Sequence, residues 1–548
     1  MNRRNDVNYI FMSRSFWDEL EIPRTLLNKK FTEYLGESNR TIRTCEEAID
    51  FISPIIDSMQ RSFLDRMKIE SSYEFISKLY VIFNKCFFLY MGQKQAREKL
   101  VNLNVSDSTI LEAFEQNKNI SLNLICAVNL WLENALLHQN GIETVPAQLT
   151  SIIDPELLID LYLYGLFSRV LSYMTLSKKH KNIELFYGID IVPNEDEPVI
   201  ALKYHPIIYF NPLLIGNQKV FSVTKEDYKN ADNSDFGKGF LDEYGIGFLL
   251  SLRIISTIQK NMLKQGKRSC VIIQKSDFIK TVRHYSINKI DPDKFFNAFV
   301  LTKGNLNSQL RHGEPIVWKM GTNKFRHELR PFLCLDNDNI IISYPALEQA
   351  KNIWLSYFAN GGMIYTNIKD QLTASIDFRN NELSEELVRI IKRKLNEHYD
   401  SSFDEVNVDY KRIFGAKEYD YGDYDLVFFC KQVNELFLIE AKFFSDSLNS
   451  SGTITDYEKM FRPNGYYEHC RKRYDLALQN PDRLKAFVGA SGNIQVHFLF
   501  VSSKPLEIEF IDKDDIVVFP CLSILDKYLE GKLISEDGKY VVRPTHIL

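Results

Sequence analysis

Gly422-Asp423-Tyr424-Asp425-Leu426-Val427-Phe428-Phe429 is followed, after a short polar break, by Leu436-Phe437-Leu438-Ile439-Glu440-Ala441-Lys442. Two apolar runs of strand length stand one after the other, the first opened by acids and the second closed by Glu-x-Lys. The spacing is Asp-x14-Glu-x-Lys. Residues two apart on a strand point the same way, so Glu440 and Lys442 share a face while Ala441 points into a core. Paired strands would bring two carboxylates and one ammonium to a common edge. Asp425 and Glu440 are hard oxygen donors, suited to Mg2+ or Mn2+. A fully apolar strand is ordinarily covered on both faces, so charges at its exit mark a site. The bland alternative is two acids and a lysine solvated at strand ends.

Around this core the last third of the chain alternates. The pattern predicts a helix over 384–399, strands over 403–408, 426–429 and 436–439, a polar loop over 445–465, a helix over 466–478, and strands over 496–501 and 516–519. That is the element order of an α/β sandwich. Arg389, Lys392, Arg393 and Lys394 lie on the first of these helices; Arg462, Arg471, Lys472 and Arg473 follow the Glu-x-Lys strand. Each cluster reads either as phosphate-contacting or as a solvated helix face. Tyr466 and Tyr467 would stack on bases or simply pack.

Upstream, Ile49, Ile52, Ile56, Met59, Phe63 and Met67 recur at helical steps, and Phe75, Leu79, Ile82, Phe83 and Cys86 continue the stripe. Asp154-Pro155-Glu156 is a helix start, with a cap, a first-turn proline and an acid at the positive end of the dipole. The middle third mixes signals. Strands are expected over 199–210, 270–273 and 316–318, a hairpin over 332–343, a loop or linker over 225–245, and a helix over 248–262. The chain is therefore read as multidomain: an α-helical N-terminal region (1–185), a mixed α/β middle (186–375) and a C-terminal α/β domain (376–548).

With 548 residues the chain exceeds one compact core. Its net charge of -5 argues against a protein that coats nucleic acid, while leaving room for a local basic cleft. The eight cysteines are scattered without a Cys-x-x-Cys pair, which points to reduced thiols in a cytoplasmic protein. No secretory leader and no membrane-spanning run is expected. Gly245-Ile246-Gly247 lacks the rest of a dinucleotide loop, and no Walker A sequence occurs. His312 and His327 stand apart from other ligand types and read as hydrogen-bonded structural histidines.

The Asp-strand-strand-Glu-x-Lys core resembles the PD-(D/E)xK nuclease superfamily, with Tyr424-Asp425 where the usual motif has Pro-Asp. The resemblance covers about residues 380 to 520. It implies a restriction-endonuclease-like domain that hydrolyses phosphodiester bonds with Mg2+ or Mn2+, probing DNA in preference to RNA. Asp425 and Glu440 would be the metal ligands. Lys442 would be the catalytic lysine, orienting or deprotonating a water or steadying the phosphorane oxyanion. Family members often carry an acid on the preceding helix; here Ser384-Glu385-Glu386-Leu387-Val388 offers Glu385, with Glu386 and Glu382 as competitors, and Asp423 shares the strand face of Asp425. Arg389, Lys392, Arg393, Arg471, Lys472 and Arg473 would contact nucleic acid. No Gln-x-x-x-Tyr motif surrounds Tyr474. An attached helical region, able to hold a protein partner or a second copy, resembles the layout of bacterial anti-phage nucleases. The competing expectation is a catalytically silent adaptor that keeps the nuclease fold and binds nucleic acid or a partner.

Overall fold

Thr44 is extended, and its hydroxyl accepts the Glu47 amide at 3.1 Å, so the helix Cys45–Ile69 begins where the apolar stripe begins. Ile52, Ile56, Met59, Phe63 and Met67 are buried along that stripe, with Ile49 half-buried beside them. Each fully buried side chain of this size contributes about 2 kcal/mol. Asp154 caps the helix Pro155–Lys179, its Oδ1 accepting the Leu157 amide at 3.0 Å. The same carboxylate pairs with Arg66, tying the two helices together. Ser72–Asn102 and Ser108–Leu137 pack on each other to complete this helical region. The computed structural model describes residues 16–548 apart from 103–107, 140–142, 147–148, 180–185, 194–197, 205–222, 267–268, 288, 308–324, 336–337, 362–368, 445–455, 457–458, 505–516, 535–540 and 544–545.

Ile120–Leu137 and Pro155–Thr175 are long and apolar enough to cross a membrane, which corrects the expectation that the chain has no such stretch. They are 83% and 72% buried inside the protein, the surroundings of core helices. The eight cysteines are all free thiols; Cys126 and Cys270 are partly exposed and the others buried.

Three strands, β1 (Arg40–Ile42), β2 (Phe186–Val192) and β3 (Val199–Tyr204), form a small antiparallel sheet in the order β1-β2-β3. The residues after 185 thus pair back onto the helical region. The expected strand beyond 204, the strand over 316–318 and His312 lie outside the described residues.

In the middle, β4 (Cys270–Gln274), β5 (Val300–Thr302), β6 (Phe332–Cys334) and β7 (Asn339–Ser343) are ordered β4-β7-β6-β5. The expected hairpin is β6–β7, with Phe332 opposite Ile342 and Cys334 opposite Ile340. The expected loop over 225–245 is instead Lys225–Asn230, a 3-10 turn and Asp235–Tyr244. Thr224 and Asp227 form a reciprocal capping box, and Ser234 caps the second helix. The glycines there serve close packing: a Cβ on Gly239 would lie 2.7 Å from the Leu372 Cα.

A buried polar joint ties this region to the helices. His327 Nε2 lies 2.8 Å from the Tyr80 hydroxyl, and Nδ1 lies 2.6 Å from Asn129 Oδ1. Asn129 Oδ1 can only accept, so Nδ1 carries the proton and Nε2 accepts from Tyr80. The His327 amide donates to Glu133 Oε1 at 2.7 Å. Burial drives His327 down to about 3 and pushes Glu133 up to about 8, the latter against the His327 amide. His327 is therefore a neutral, hydrogen-bonded structural residue, as its isolation in sequence suggested.

The helix expected from 384 starts earlier and runs unbroken over Asp370–His398, through the boundary drawn at 375. It leads into β8 (Phe403–Asp409), β9 (Asp423–Cys430), β10 (Glu435–Lys442), β11 (Gln495–Ser502), β12 (Val517–Val518) and β13 (His546–Ile547). Their sheet has the order β12-β11-β10-β9-β8, with β13 also paired to β11. β8, β9 and β10 are successively antiparallel, whereas β10, β11 and β12 are parallel. Helices Tyr466–Gln479 and Pro481–Val488 make the crossover from β10 to β11. One face of the sheet, including Val427, Phe429, Leu436 and Leu438, packs with Cys470, Tyr474 and Ala477. The other, including Leu426, Phe437, Ile439 and Ala441, packs with Leu387, Ile391 and Leu395. The chain is multidomain, helix-rich and of mixed α/β character.

Candidate active site

Strand alternation puts Asp425, Glu440 and Lys442 on the face covered by the helix Tyr466–Gln479, and turns Ala441 to the opposite core. The β9–β10 ladder pairs Leu426 with Ile439, so Asp425 comes opposite Glu440 at the end of the register. There the Asp425 side chain takes over from the backbone: Oδ2 accepts the Ala441 amide at 2.7 Å. On β8, Asn407 lies between Val406 and Val408, which pair with Leu426 and Tyr424, and has φ of 53°, a left-handed conformation that asparagine tolerates.

The three side chains expected to meet do meet. Lys442 Nζ lies 2.5 Å from Glu440 Oε1 and 3.6 Å from Asp425 Oδ2. Asp425 and Lys442 keep 22% and 27% of their side-chain surface open, so the cluster is reachable, while Glu440 is nearly closed off at 6%. The Tyr466 ring flanks the opening, 5.4 Å from Lys442 Nζ. Tyr467 packs against Phe461 and Phe519 instead.

A fourth charge completes the cluster. Arg473 reaches in from the helix and pairs with Glu440 Oε2. Its backbone carbonyl accepts the Tyr424 hydroxyl at 2.8 Å, and its guanidinium lies 5.7 Å from the Tyr424 ring. Tyr474, next to it, has its hydroxyl 2.8 Å from the Leu499 carbonyl and 3.2 Å from that of Leu438, fixing the helix to the central strands. The expectation that Arg473 touches nucleic acid from a solvated face is corrected: it is 5% exposed and turned into the protein. Cys470, Arg473, Tyr474 and Ala477 recur at steps of three and four, so the sequence did carry a sign that Arg473 shares the inward stripe.

The electrostatics of the two acids diverge. Burial, then the neighbouring Glu440, pushes the Asp425 carboxyl up to about 6, with Lys442 only partly opposing. Burial would raise Glu440 too, but Lys442 and Arg473 more than offset it and hold Glu440 below its usual value. Burial disfavours the Lys442 ammonium, yet Glu440 and Asp425 outweigh it and the amine is raised. Glu440 has two cations at contact distance and Asp425 has one farther away, which accounts for the split.

The remaining expected residues stand apart. The helix carrying Glu385 packs on the opposite face of the sheet; Glu385 is exposed and 3.6 Å from Arg389. Glu386 pairs with Arg389 at 2.7 Å and Glu382 with Arg379 at 3.0 Å. Lys392 pairs with Asp404 at 2.7 Å, Arg393 lies 3.9 Å from Glu397, and Lys394 is buried against Asp526. Arg471 pairs with Asp475 at 3.3 Å and Lys472 with Glu468 at 2.7 Å. Most of the expected loop over 445–465 lies outside the described residues. No group of three His, Cys, Asp or Glu side chains gathers to hold a metal among the described residues. Two carboxylates suffice for Mg2+, which keeps several waters and draws further ligands from substrate phosphate, so Asp425 and Glu440 fit that ion as a minimal donor pair. Comparison of the chain with protein-family models, curated proteins and solved structures gives no match.

Proposed function

We propose that the chain is a divalent-metal-dependent nuclease whose C-terminal domain hydrolyses phosphodiester bonds, with DNA favoured over RNA. The observation that carries this reading is the convergence of Asp425 and Glu440 on Lys442 Nζ at a partly open strand edge. The element order of helix, three antiparallel strands, crossover helix and parallel strand supports the restriction-endonuclease-like part of the reading, which motif resemblance first suggested. Preference for DNA rests on that resemblance.

Asp425 and Glu440 would hold Mg2+ or Mn2+, which when bound supplies an activated water and neutralises charge on the phosphate. The rest falls to the protein. The Ala441 amide locks the Asp425 carboxylate, so the ligand needs no reorganisation. Lys442 is gripped between the two acids and carries three N–H donors. Two face carboxylates, leaving the third for the attacking water or a phosphate oxygen. The Tyr466 ring, at the rim, offers a stacking surface for a base.

The test is cleavage of linear and circular DNA and of RNA by the purified chain with Mg2+ or Mn2+. Lys442→Ala is expected to lose at least about 100-fold in rate; equal cleavage by both proteins refutes the assignment. A second reading has one observation in its favour: Arg473 and Lys442 already satisfy both Glu440 oxygens, as in a silent binding adaptor. Failure to bind Mn2+ or to cut any substrate would favour it.

A further inference from the structure

Asp425 and Glu440 bring two negative charges to the cluster, and Lys442 and Arg473 bring two positive ones. The sum is zero in a place where both Glu440 and Arg473 are 5% exposed. Buried charges persist when they are paired, so this balance lets the cluster stand without a metal ion. It also sets a competition. Both Glu440 oxygens are already taken, Oε1 by Lys442 and Oε2 by Arg473, so a divalent cation held by Glu440 competes with a cation in place, and every added positive charge is repelled by two fixed ones.

We infer that Arg473 is a positioning residue that acts as an internal stand-in for the divalent cation, occupying Glu440 Oε2 and yielding it when metal enters. This rests on the nuclease reading above. Arg473 is built for the exchange. Its guanidinium keeps the Tyr424 ring as a second partner, and its helix is held to the sheet by the Tyr424 and Tyr474 hydroxyls, which do not involve the guanidinium. Arg473 Nε has no hydrogen-bond acceptor among the described residues, so the side chain is not fully tied in its metal-free position. The consequence is a raised metal threshold: the site keeps Glu440 ordered at low metal concentration and loads only when the cation outcompetes an arginine.

The experiment is titration of Mn2+ into the full-length chain, with free Mn2+ read by electron paramagnetic resonance. Arg473→Gln is expected to bind Mn2+ at least about tenfold tighter than the unmodified chain, since it removes both a competitor for Glu440 and a repelling charge. Arg473→Lys, which keeps the charge, is expected to stay near the unmodified affinity. A purely structural arginine would give the opposite sign, because losing it would disorder Glu440 and weaken binding. Unchanged or weaker binding by Arg473→Gln therefore overturns the inference. Should that variant fail to fold, crystals of the unmodified chain grown with Mn2+ decide: the Arg473 guanidinium is expected to have left Glu440 Oε2, and an intact Arg473–Glu440 contact beside bound Mn2+ overturns the inference. Mn2+ binding with cleavage but without tightening in Arg473→Gln defeats this inference alone, whereas no Mn2+ binding and no cleavage by any of these proteins defeats the nuclease reading with it.

Discussion

Glu440→Gln is expected to destabilise the C-terminal sheet as well as to abolish cleavage. Glu440 touches Lys442 Nζ at 2.5 Å on one oxygen and Arg473 on the other. Lys442 keeps Asp425 at 3.6 Å after the change, but Arg473 keeps no carboxylate at contact distance among the described ion pairs. One unit of positive charge is then stranded in the interior. A charge pair about 4 Å apart near a protein surface is worth about 4 kcal/mol, and removing one partner of a buried pair typically costs about 3 to 5 kcal/mol. The chain's 4 tryptophans, Trp17, Trp131, Trp318 and Trp354, all lie before this sheet, so intrinsic fluorescence would not report on it. Hydrogen exchange of β10 and β11 amides does. A loss of about 4 kcal/mol speeds exchange through the unfolded sheet by about a thousandfold. The double variant Glu440→Leu with Arg473→Met removes both charges and is expected to recover most of the loss. A loss below about 1 kcal/mol in Glu440→Gln, or additivity in the double variant, would show that the pair is not a buried ionic contact of the kind described.

The buried joint gives a pH test. Glu133 titrates at about 8 in the folded chain, above its ordinary 4.5, so its contribution is fully present below 4.5, declines as pH rises, and is lost through about 8. Glu133→Gln should flatten the fall in stability between those limits, measured by denaturation at a series of pH values; an unchanged slope would mean that Glu133 is charged in the fold. Gly239→Ala should destabilise by about 1 to 3 kcal/mol, because its Cβ would meet the Leu372 backbone at 2.7 Å and the clash outweighs the roughly 1 kcal/mol gained in helix propensity; thermal denaturation showing a gain would refute that. If the proposed nuclease activity serves anti-phage defence, induced expression should be toxic or block phage growth, and Glu440→Ala should abolish both; protection that survives the substitution removes Glu440 from the effect.

The pair of apolar runs was legible because strand alternation is a two-residue rule, and it carried Asp425, Glu440, Lys442 and the inward Ala441 to their places. Arg473 was less legible. Arg471-Lys472-Arg473 reads as a basic surface run, and only the spacing with Cys470, Tyr474 and Ala477 reveals that one of the three turns inward. Glu385 could not be ranked from sequence, since a helical acid near a sheet lies over whichever face its helix covers, and that is a tertiary choice. Residues 225–245 misled for another reason. Their glycines suggest a flexible connection, whereas Gly237 and Gly239 sit where neighbouring backbone leaves no room for a side chain. The early start of Asp370–His398 is not legible in the sequence because its first half buries only Leu372, Ile376 and Leu383, too sparse a stripe to stand out.

That long helix has a mechanical consequence. Leu372 and Ile376 belong to the core of the middle region, and Leu387, Ile391 and Leu395 to the core beneath the C-terminal sheet. At 29 residues it is a rod about 44 Å long. Pivoted at one end, a tilt of about 5° sweeps the other by about 4 Å, on the order of one helical turn. Whatever strains the middle region therefore has a stiff lever resting on the underside of the strands that carry Asp425 and Glu440.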